Sequence, residues 1–85
     1  MSTPASGERL IVVTRSDCEL CENMLSELSV LAQRYPLPAR ALADVDADPQ
    51  LLQRWGRKVP VLLLDGTLVC AGRLDGAQLL RLLRL

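Results

Sequence analysis

The chain has 85 residues, of which 49% are hydrophobic and 24% charged, and its ten basic and ten acidic side chains cancel to a net charge of zero. This composition predicts one globular domain and excludes a disordered chain, and the absence of net charge favours neither nucleic acid nor an anionic membrane as a partner. Aromatic residues make up 2% of the chain and phenylalanine is absent, so base stacking is not expected and the core must be aliphatic.

Secretion and membrane insertion are not expected from this sequence. Residues 1–7 have neither the basic region nor the apolar core of a secretory signal. The longest apolar runs, such as residues 59–64, fall far short of the roughly 20 residues that a membrane-spanning helix needs. We expect residues 1–8 to form a flexible lead-in and residues 9–85 to form one domain. The expected location is the cytoplasm and the expected state a monomer, since no long apolar stripe requires a partner.

The first part of the domain predicts a buried strand followed by an amphipathic helix. Residues 9–14 contain an apolar, β-branched run typical of a buried strand, and residues 15–17 then turn the chain. Apolar residues recur at spacings of three and four in the next segment, which predicts a helix with one buried stripe. The stripe consists of Cys21, Met24, Leu25, Leu28, Leu31 and Ala32. Tyr35 ends the helix, because a residue that precedes proline avoids helical angles.

A second strand and a short helix are predicted next. Residues 39–45 alternate, with alanine and valine on one side, which indicates a strand. Asp48 is a good N-cap and Pro49 suits the first helical position, so residues 50–55 are expected to be helical. Gly56 stands where a left-handed residue would end that helix.

The last third of the chain predicts a hairpin and a helix. Residues 60–64 form another apolar run, the pair Asp65-Gly66 is a strong signal for a two-residue turn, and residues 67–71 return antiparallel. Asp75 can cap a final helix, which would pack through Leu79, Leu80 and Leu83. The fold class is therefore α/β, of order β-α-β-α-β-β-α. Its mixed four-stranded sheet begins with two parallel strands and has helices on both faces.

Cys18 and Cys21 directly follow the first strand and open the first helix, which is the setting expected of a redox-active cysteine pair. Unpaired N–H groups and the positive end of the helix dipole favour a thiolate at Cys18. Cys21 lies one turn further on the buried stripe, at a spacing that allows a disulfide. We therefore predict that Cys18 is the exposed nucleophile and Cys21 the shielded resolving thiol of a disulfide exchange reaction.

Charged neighbours act on the Cys18 sulfur in opposite directions. Asp17 and Glu19 flank it and disfavour its anionic form. Arg15 and Lys58 would favour that form if the fold brings them close.

Other interpretations of the cysteines are open from the residues alone. Cys18 and Cys21 could both be small core residues, since free cysteine is among the most buried residue types. A structural zinc site needs four ligands, and with three cysteines and no histidine a carboxylate or a second subunit would have to complete it, so no metal site is expected. Cys70, in the predicted hairpin strand, is expected to be a core residue, with a regulatory or intermolecular disulfide as the alternative.

Taken together, these motifs resemble the thioredoxin superfamily, and its glutaredoxin-like branch most of all. The resemblance is carried by residues 13–21, which end in Cys-Glu-Leu-Cys, by residues 44–62, which contain Asp-Pro, Trp-Gly and Val-Pro, and by residues 64–75. It implies a thioredoxin-like fold and a thiol–disulfide oxidoreductase that reduces glutathione mixed disulfides or protein disulfides. It also implies that no cofactor is bound and that glutathione serves as reductant or substrate.

The resemblance further implies a substrate-binding role for residues around the cysteine pair. The peptide bond Val59–Pro60 would be cis, face the cysteines and pair its backbone with an extended substrate. Arg15 would meet a glutathione carboxylate, and Asp75 would bind the glutamyl end, with a simple helix cap as its alternative role. Lys58 and Gly72 occupy the remaining substrate-binding positions.

Several positions depart from the glutaredoxin pattern and bear on glutathione as the partner. Glu19-Leu20 stands in place of Pro-Tyr, Lys58 in place of threonine, and Ala71-Gly72 in place of Gly-Gly. Two other functions therefore stay open. One is a metal or iron–sulfur carrier that uses Cys18, and the other is a redox-inactive scaffold that binds proteins.

Overall fold

Strands and helices alternate along the computed structural model, which describes residues 8–85. In chain order the elements are β1 (Leu10–Thr14), α1 (Glu19–Arg34), β2 (Arg40–Asp44), a 3₁₀ turn (Val45–Ala47), α2 (Pro49–Trp55), β3 (Val61–Leu64), β4 (Thr67–Ala71) and α3 (Gly76–Leu83). This order and the mixed four-stranded sheet are those of the predicted thioredoxin-like fold. Residues 1–7, and with them nearly all of the predicted lead-in, lie outside the described residues.

The sheet has the strand order β2-β1-β3-β4, so β1 and β3 occupy its centre. β1 runs parallel to β2, with Thr14 opposite Asp44, and antiparallel to β3, with Val13 opposite Val61. β3 and β4 form an antiparallel hairpin. The predicted parallel and antiparallel pairings are both confirmed. As a result, the ends of β1, β2 and β4 and the start of β3 all lie at one end of the sheet.

The two faces of the sheet carry separate apolar clusters, since successive side chains of a strand point to opposite sides. One cluster joins α1 and α3 to the sheet through Leu10, Val12, Met24, Leu28, Leu62, Leu64 and Leu79. The other joins α2 to the sheet through Val13, Ala43, Val45, Trp55, Val61 and Leu63. Each fully buried leucine or valine contributes roughly 1.5–3 kcal/mol by leaving water. Helices therefore cover both faces, as predicted.

Helix α1 begins directly after Cys18 and ends at Tyr35, whose extended backbone angles precede a proline. Its buried face consists of Cys21, Met24 and Leu28, with further leucines partly buried beside them. Ala32, predicted on the same stripe, is exposed because it borders an open cavity and not a packed neighbour. None of the helices in the described part of the chain has the length and apolar character needed to span a bilayer.

The predicted turns and caps are largely confirmed. Asp65 and Gly66 both have positive φ angles, 51° and 83°, as a two-residue type I′ hairpin turn requires. Arg9 donates from Nε and Nη2 to the Asp65 carboxylate at 3.0 and 2.9 Å and so fixes this turn to the start of β1. Asp48 caps α2 by accepting the N–H of Gln50 at 2.9 Å.

Two local predictions are wrong in detail. The predicted strand 39–45 is observed as Arg40–Asp44, and it ends there because Val45 already enters a 3₁₀ turn that the Asp44 side chain caps. Gly56 has right-handed angles, φ −53° and ψ −30°, and is not the left-handed residue that was expected. Glycine is required there for space: a Cβ atom would lie 2.5 Å from the Leu52 carbonyl oxygen.

The space at Gly56 predicts that Gly56→Ala destabilises the protein by about 1–3 kcal/mol, because the added methyl group forces the end of α2 to shift. Gly76→Ala is the matched control, since a Cβ there would meet Leu31 at an ordinary contact distance of 3.6 Å. That control should be neutral or stabilising by up to about 1 kcal/mol. Urea unfolding of the two variants measures both effects. Equal stability of Gly56→Ala and wild type would contradict this account of Gly56.

Candidate redox site

The cysteine pair lies at the end of the sheet where β1 delivers the chain into α1. Thr14 is the last residue of β1, and a three-residue turn leads from it to Cys18. Asp17, within this turn, has a positive φ of 55°, a conformation that aspartate tolerates better than most residues. The turn thus places Cys18 at the N-cap of α1.

Cys18 and Cys21 are joined by a disulfide, with their Cα atoms 5.2 Å apart. The Sγ of Cys18 also accepts the N–H of Cys21 at 3.1 Å. Cys18 is partly exposed, whereas Cys21 is only 2% exposed and packs on the buried face of α1. The two sulfurs therefore differ in access, with one at the surface and one within the core.

The loops next to the cysteine pair come from β3 and β4. The Val59–Pro60 peptide bond is cis, with Pro60 buried and Val59 partly buried. Because Val13 pairs with Val61, this peptide bond lies beside the end of β1 and at the same end of the sheet as the cysteines. Gly72 donates its N–H to the Pro60 carbonyl oxygen at 2.7 Å, which ties the end of β4 to this loop.

Arg15 is held by acceptors of the protein itself. Its Nε and Nη2 donate to the two carboxylate oxygens of Asp46 at 3.0 and 3.2 Å, and its Nη1 donates to the Gly56 carbonyl oxygen at 3.1 Å. Hydrogen bonding from Arg15 lowers the pKa of the Asp46 carboxyl below its ordinary value. The same hydrogen bond raises the pKa of Arg15. The guanidinium thus links the turn before Cys18 to the segments that follow β2 and α2.

Lys58 lies near the same end of the sheet but is directed towards an aromatic ring. Its Nζ is 5.9 Å from the centre of the Trp55 ring, and the guanidinium carbon of Arg54 is 4.8 Å from it. Such cation–π contacts are weak at exposed positions. Arg15 and Lys58, the two cations expected to offset Asp17 and Glu19, both have protein partners.

Asp75 acts as the N-cap of α3, where its Oδ1 accepts the N–H of Gln78 at 3.0 Å. Its own N–H donates to the Sγ of Cys70 at 3.4 Å. Cys70 is partly buried against the cluster that joins α1 and α3 to the sheet. Burial raises the pKa of the Cys70 thiol. The helix-cap role of Asp75 and the packing of Cys70 are therefore both present in the fold.

A groove of about 320 Å³ runs beside α1 from Leu20, and neither cysteine lines it. It is lined by Leu20, Asn23, Met24, Ser26, Glu27, Gly72 and Arg73. Leu20, which stands between the cysteines, is 55% exposed. Another cavity, of about 330 Å³, is lined by Leu10 from the start of β1 and lies at the opposite end of that strand from the cysteines. Of these two cavities, only the groove lies at the end of the sheet that carries the cysteines.

Sequence reasoning identified both cysteines but missed the partners of Arg15. Asp46 lies 31 residues from Arg15 along the chain, and it is one of three alternating aspartates with Asp44 and Asp48. No local pattern distinguishes the aspartate that pairs with Arg15 from the two that cap helices. Within residues 8–85, no group of three or more histidine, cysteine or acidic side chains is arranged to hold a metal ion.

Known proteins match this chain in both sequence and fold. The family model of the glutaredoxin-like domain (DUF836) matches residues 9–84, which include both cysteines of the disulfide. Among solved structures, the solution NMR structure of protein Ne2328 from Nitrosomonas europaea is similar over 93% of this chain and 94% of that chain. The two share 26% sequence identity, with a TM-score of 0.74. No curated protein matches the chain.

The partial burial of Cys70 predicts that its thiol reacts slowly with thiol reagents. In the oxidised protein we expect one of the three cysteines to react with Ellman's reagent, and to do so slowly, because the raised pKa of Cys70 disfavours the reactive thiolate. After reduction two further thiols should appear, of which the partly exposed Cys18 reacts first. Alkylation followed by peptide mass spectrometry assigns each thiol, and Cys70→Ala should remove the slow one. Faster labelling of Cys70 than of Cys18 would contradict this.

The Arg15–Asp46 pair predicts an acid-sensitive contribution to stability. Because Arg15 lowers the pKa of Asp46 in the folded chain below its ordinary 3.8, the pair stabilises the fold above that pH. The contribution is lost as the pH falls through the lowered pKa and the carboxyl is protonated. Asp46→Asn should therefore lower Tm at about pH 6 but have little effect at about pH 2.

Thermal unfolding across this pH range measures the effect. Asp65→Asn is the matched control, since Asp65 forms an exposed pair of the same geometry with Arg9 and its pKa is also lowered. Both variants should show the same pH pattern. A loss of Tm in Asp46→Asn that does not change with pH would mean that the ion pair is not its source.

Proposed function

Because the chain belongs to the glutaredoxin-like domain (DUF836) family, we propose that it is a thiol–disulfide oxidoreductase whose working pair is Cys18 and Cys21. One observation carries the proposal. A partly exposed cysteine at the N-cap of a helix forms a disulfide with a buried cysteine one turn further on. A helix start favours a thiolate at the exposed position, and the buried position protects the second sulfur until the first has reacted.

In the proposed reaction the reduced protein transfers two electrons to a substrate disulfide. The Cys18 thiolate attacks one substrate sulfur and forms a mixed disulfide, while the other substrate sulfur leaves as a thiolate and takes a proton from water. The Cys21 thiolate then attacks the Cys18 sulfur, and the remaining substrate thiol departs. The protein is left with the Cys18–Cys21 disulfide, and the substrate with two thiols.

Two external thiols would return the protein to its reduced form, and we propose glutathione as their source. The first forms a mixed disulfide with Cys18 and frees Cys21, and the second releases the Cys18 thiolate together with oxidised glutathione. Glutathione mixed disulfides and protein disulfides are the proposed substrates. A reducing compartment such as the cytoplasm suits this cycle, because it keeps the thiol pool reduced.

The proposed substrate contacts come from the loops at the same end of the sheet. The backbone of Val59, next to the cis proline Pro60, would pair with an extended substrate. Gly72 would allow close approach of the substrate backbone, and Lys58 and Asp75 would contribute charge at the rim. The position of these loops beside the end of β1 supports this assignment.

The proposal predicts a reversible two-electron couple. Equilibration in glutathione buffers, with free thiols counted at each potential, should show oxidation of one cysteine pair with a midpoint between roughly −120 and −270 mV. Cys18→Ser should abolish the couple, because it removes one of the two sulfurs. Cys70→Ala is the control that should keep it, since Cys70 is outside the disulfide.

The same titration tests the oxidoreductase proposal against a redox-inactive scaffold. If the Cys18 and Cys21 thiols stay reduced over this range, or oxidise only irreversibly, the oxidoreductase proposal fails. A scaffold that binds proteins through its fold would then bind equally well with Cys18→Ser.

A further inference from the structure

Arg15 is the cation closest to the redox centre along the chain. It lies three residues before Cys18, in the turn that leads to this cysteine. All three of its described hydrogen bonds go to acceptors within the protein, two to the Asp46 carboxylate and one to the Gly56 carbonyl oxygen. Asp46 binds the guanidinium through two parallel hydrogen bonds, which is the geometry that the carboxylate of a bound ligand would also adopt. Three of the five N–H donors of Arg15 are therefore engaged, and Asp46 occupies the Nε–Nη2 edge that would bind an incoming carboxylate side-on.

Because Asp46 engages Arg15, the acidic residues around Cys18 determine the charge on this side of the site. Asp17, Glu19 and Glu22 stand on the turn and the first turn of α1, and all three are exposed. With Arg15 neutralised by Asp46, this side of the site has a negative charge. Three further cations near this end of the sheet, Arg57, Lys58 and Arg73, are exposed. Arg57 and Lys58 follow Gly56, which Arg15 contacts, and Arg73 lines the groove with Glu27.

Glutathione, a tripeptide thiol, and a polypeptide would bind this site through different contacts. Glutathione carries two carboxylates and one ammonium group, has few apolar atoms, and must be held largely through its charged ends. A polypeptide can use main-chain hydrogen bonds along an extended segment and apolar side chains in addition. The site offers such apolar contact at Leu20, which is 55% exposed and lines the groove together with Met24.

We propose that the Arg15–Asp46 pair is a specificity determinant that biases the redox site towards polypeptide disulfides and against glutathione mixed disulfides. The proposal rests on the proposed function and names its substrate class. Asp46 withholds the Arg15 cation from the glutathione carboxylates, while an extended polypeptide is held by contacts that do not need this cation. The chemical step is the exchange described above, and its balance of electrons and protons is unchanged.

The expected bias is moderate. The side chains of Arg15 and Asp46 are 37% and 50% exposed, so a ligand can displace Asp46 at a modest cost. The two-point contact and the third hydrogen bond to Gly56 raise that cost above that of a single exposed ion pair. We expect the pair to change relative rates several-fold and not to exclude glutathione altogether.

The test compares two substrates that share one cysteine peptide. In the first the peptide cysteine is linked to glutathione, and in the second it is linked to a short uncharged peptide. Single-turnover rate constants are measured with fully reduced full-length protein. In Asp46→Asn the ratio of the glutathione rate to the peptide rate should rise by about threefold or more, because Arg15 becomes available to a carboxylate. Added salt should reduce this gain.

Two further variants separate the release of Arg15 from a loosened turn. Asp46→Asn combined with Arg15→Gln should lose the gain, since no cation is left to release, whereas a loosened turn would remain in both. Asp65→Asn removes the similar Arg9–Asp65 pair and should leave the ratio at the wild-type value. An unchanged ratio in Asp46→Asn, or a gain that persists in the double variant, overturns the proposal.

Failure of the proposed function has a different signature. Wild-type protein that reacts with neither substrate, and so behaves like Cys18→Ser, would overturn the oxidoreductase function and the specificity proposal together. Wild-type protein that reacts with both substrates at a ratio insensitive to Asp46 would overturn the specificity proposal alone.

Discussion

The pairing of β1 with both neighbours is the constraint on which the site depends. β1 is central, with Thr14 opposite Asp44 in β2 and Val13 opposite Val61 in β3. One register therefore brings the turn before Cys18, the segment after β2 and the cis-proline loop to the same end of the sheet. A shift of one residue would turn the apolar side chains of the central strands to the wrong faces, so the two apolar clusters oppose any other register.

Helix α1, which follows β1 after a short turn, gives the two sulfurs different exposure to solvent. Cys18 is the N-cap of α1 and partly exposed, whereas Cys21 belongs to the face that packs with Met24 and Leu28. The asymmetry comes from position and packing together, because Cys18 stands at the exposed start of the helix and Cys21, one turn further on, packs against the core. Fold and proposed chemistry are thus linked, since the packing that stabilises α1 also shields the second thiol.

An ion pair also connects the segments that surround the cysteine pair. Arg15 bridges Asp46 and the Gly56 carbonyl, so one side chain connects the turn before the cysteines with the segments on either side of α2. The positive charge of Arg15, which could have attracted an anionic ligand, is instead paired with Asp46. In this protein the electrostatics of the site is therefore set partly by what holds its loops together, and the proposed preference for polypeptide disulfides follows from that.

The sequence by itself determined the features that depend on neighbours along the chain. These are the apolar runs of β1 and β3, the stripe of α1, the caps at Asp48 and Asp75, and the cysteine spacing, all of which local backbone preference and periodicity encode. Only the tertiary structure decided the rest. That Asp46 pairs with Arg15, and that Gly56 is needed for space and not for a left-handed turn, depends on how distant segments pack. Ion pairing between residues 31 apart has no local signature, because any of three aspartates satisfies the same pattern until strand register selects one.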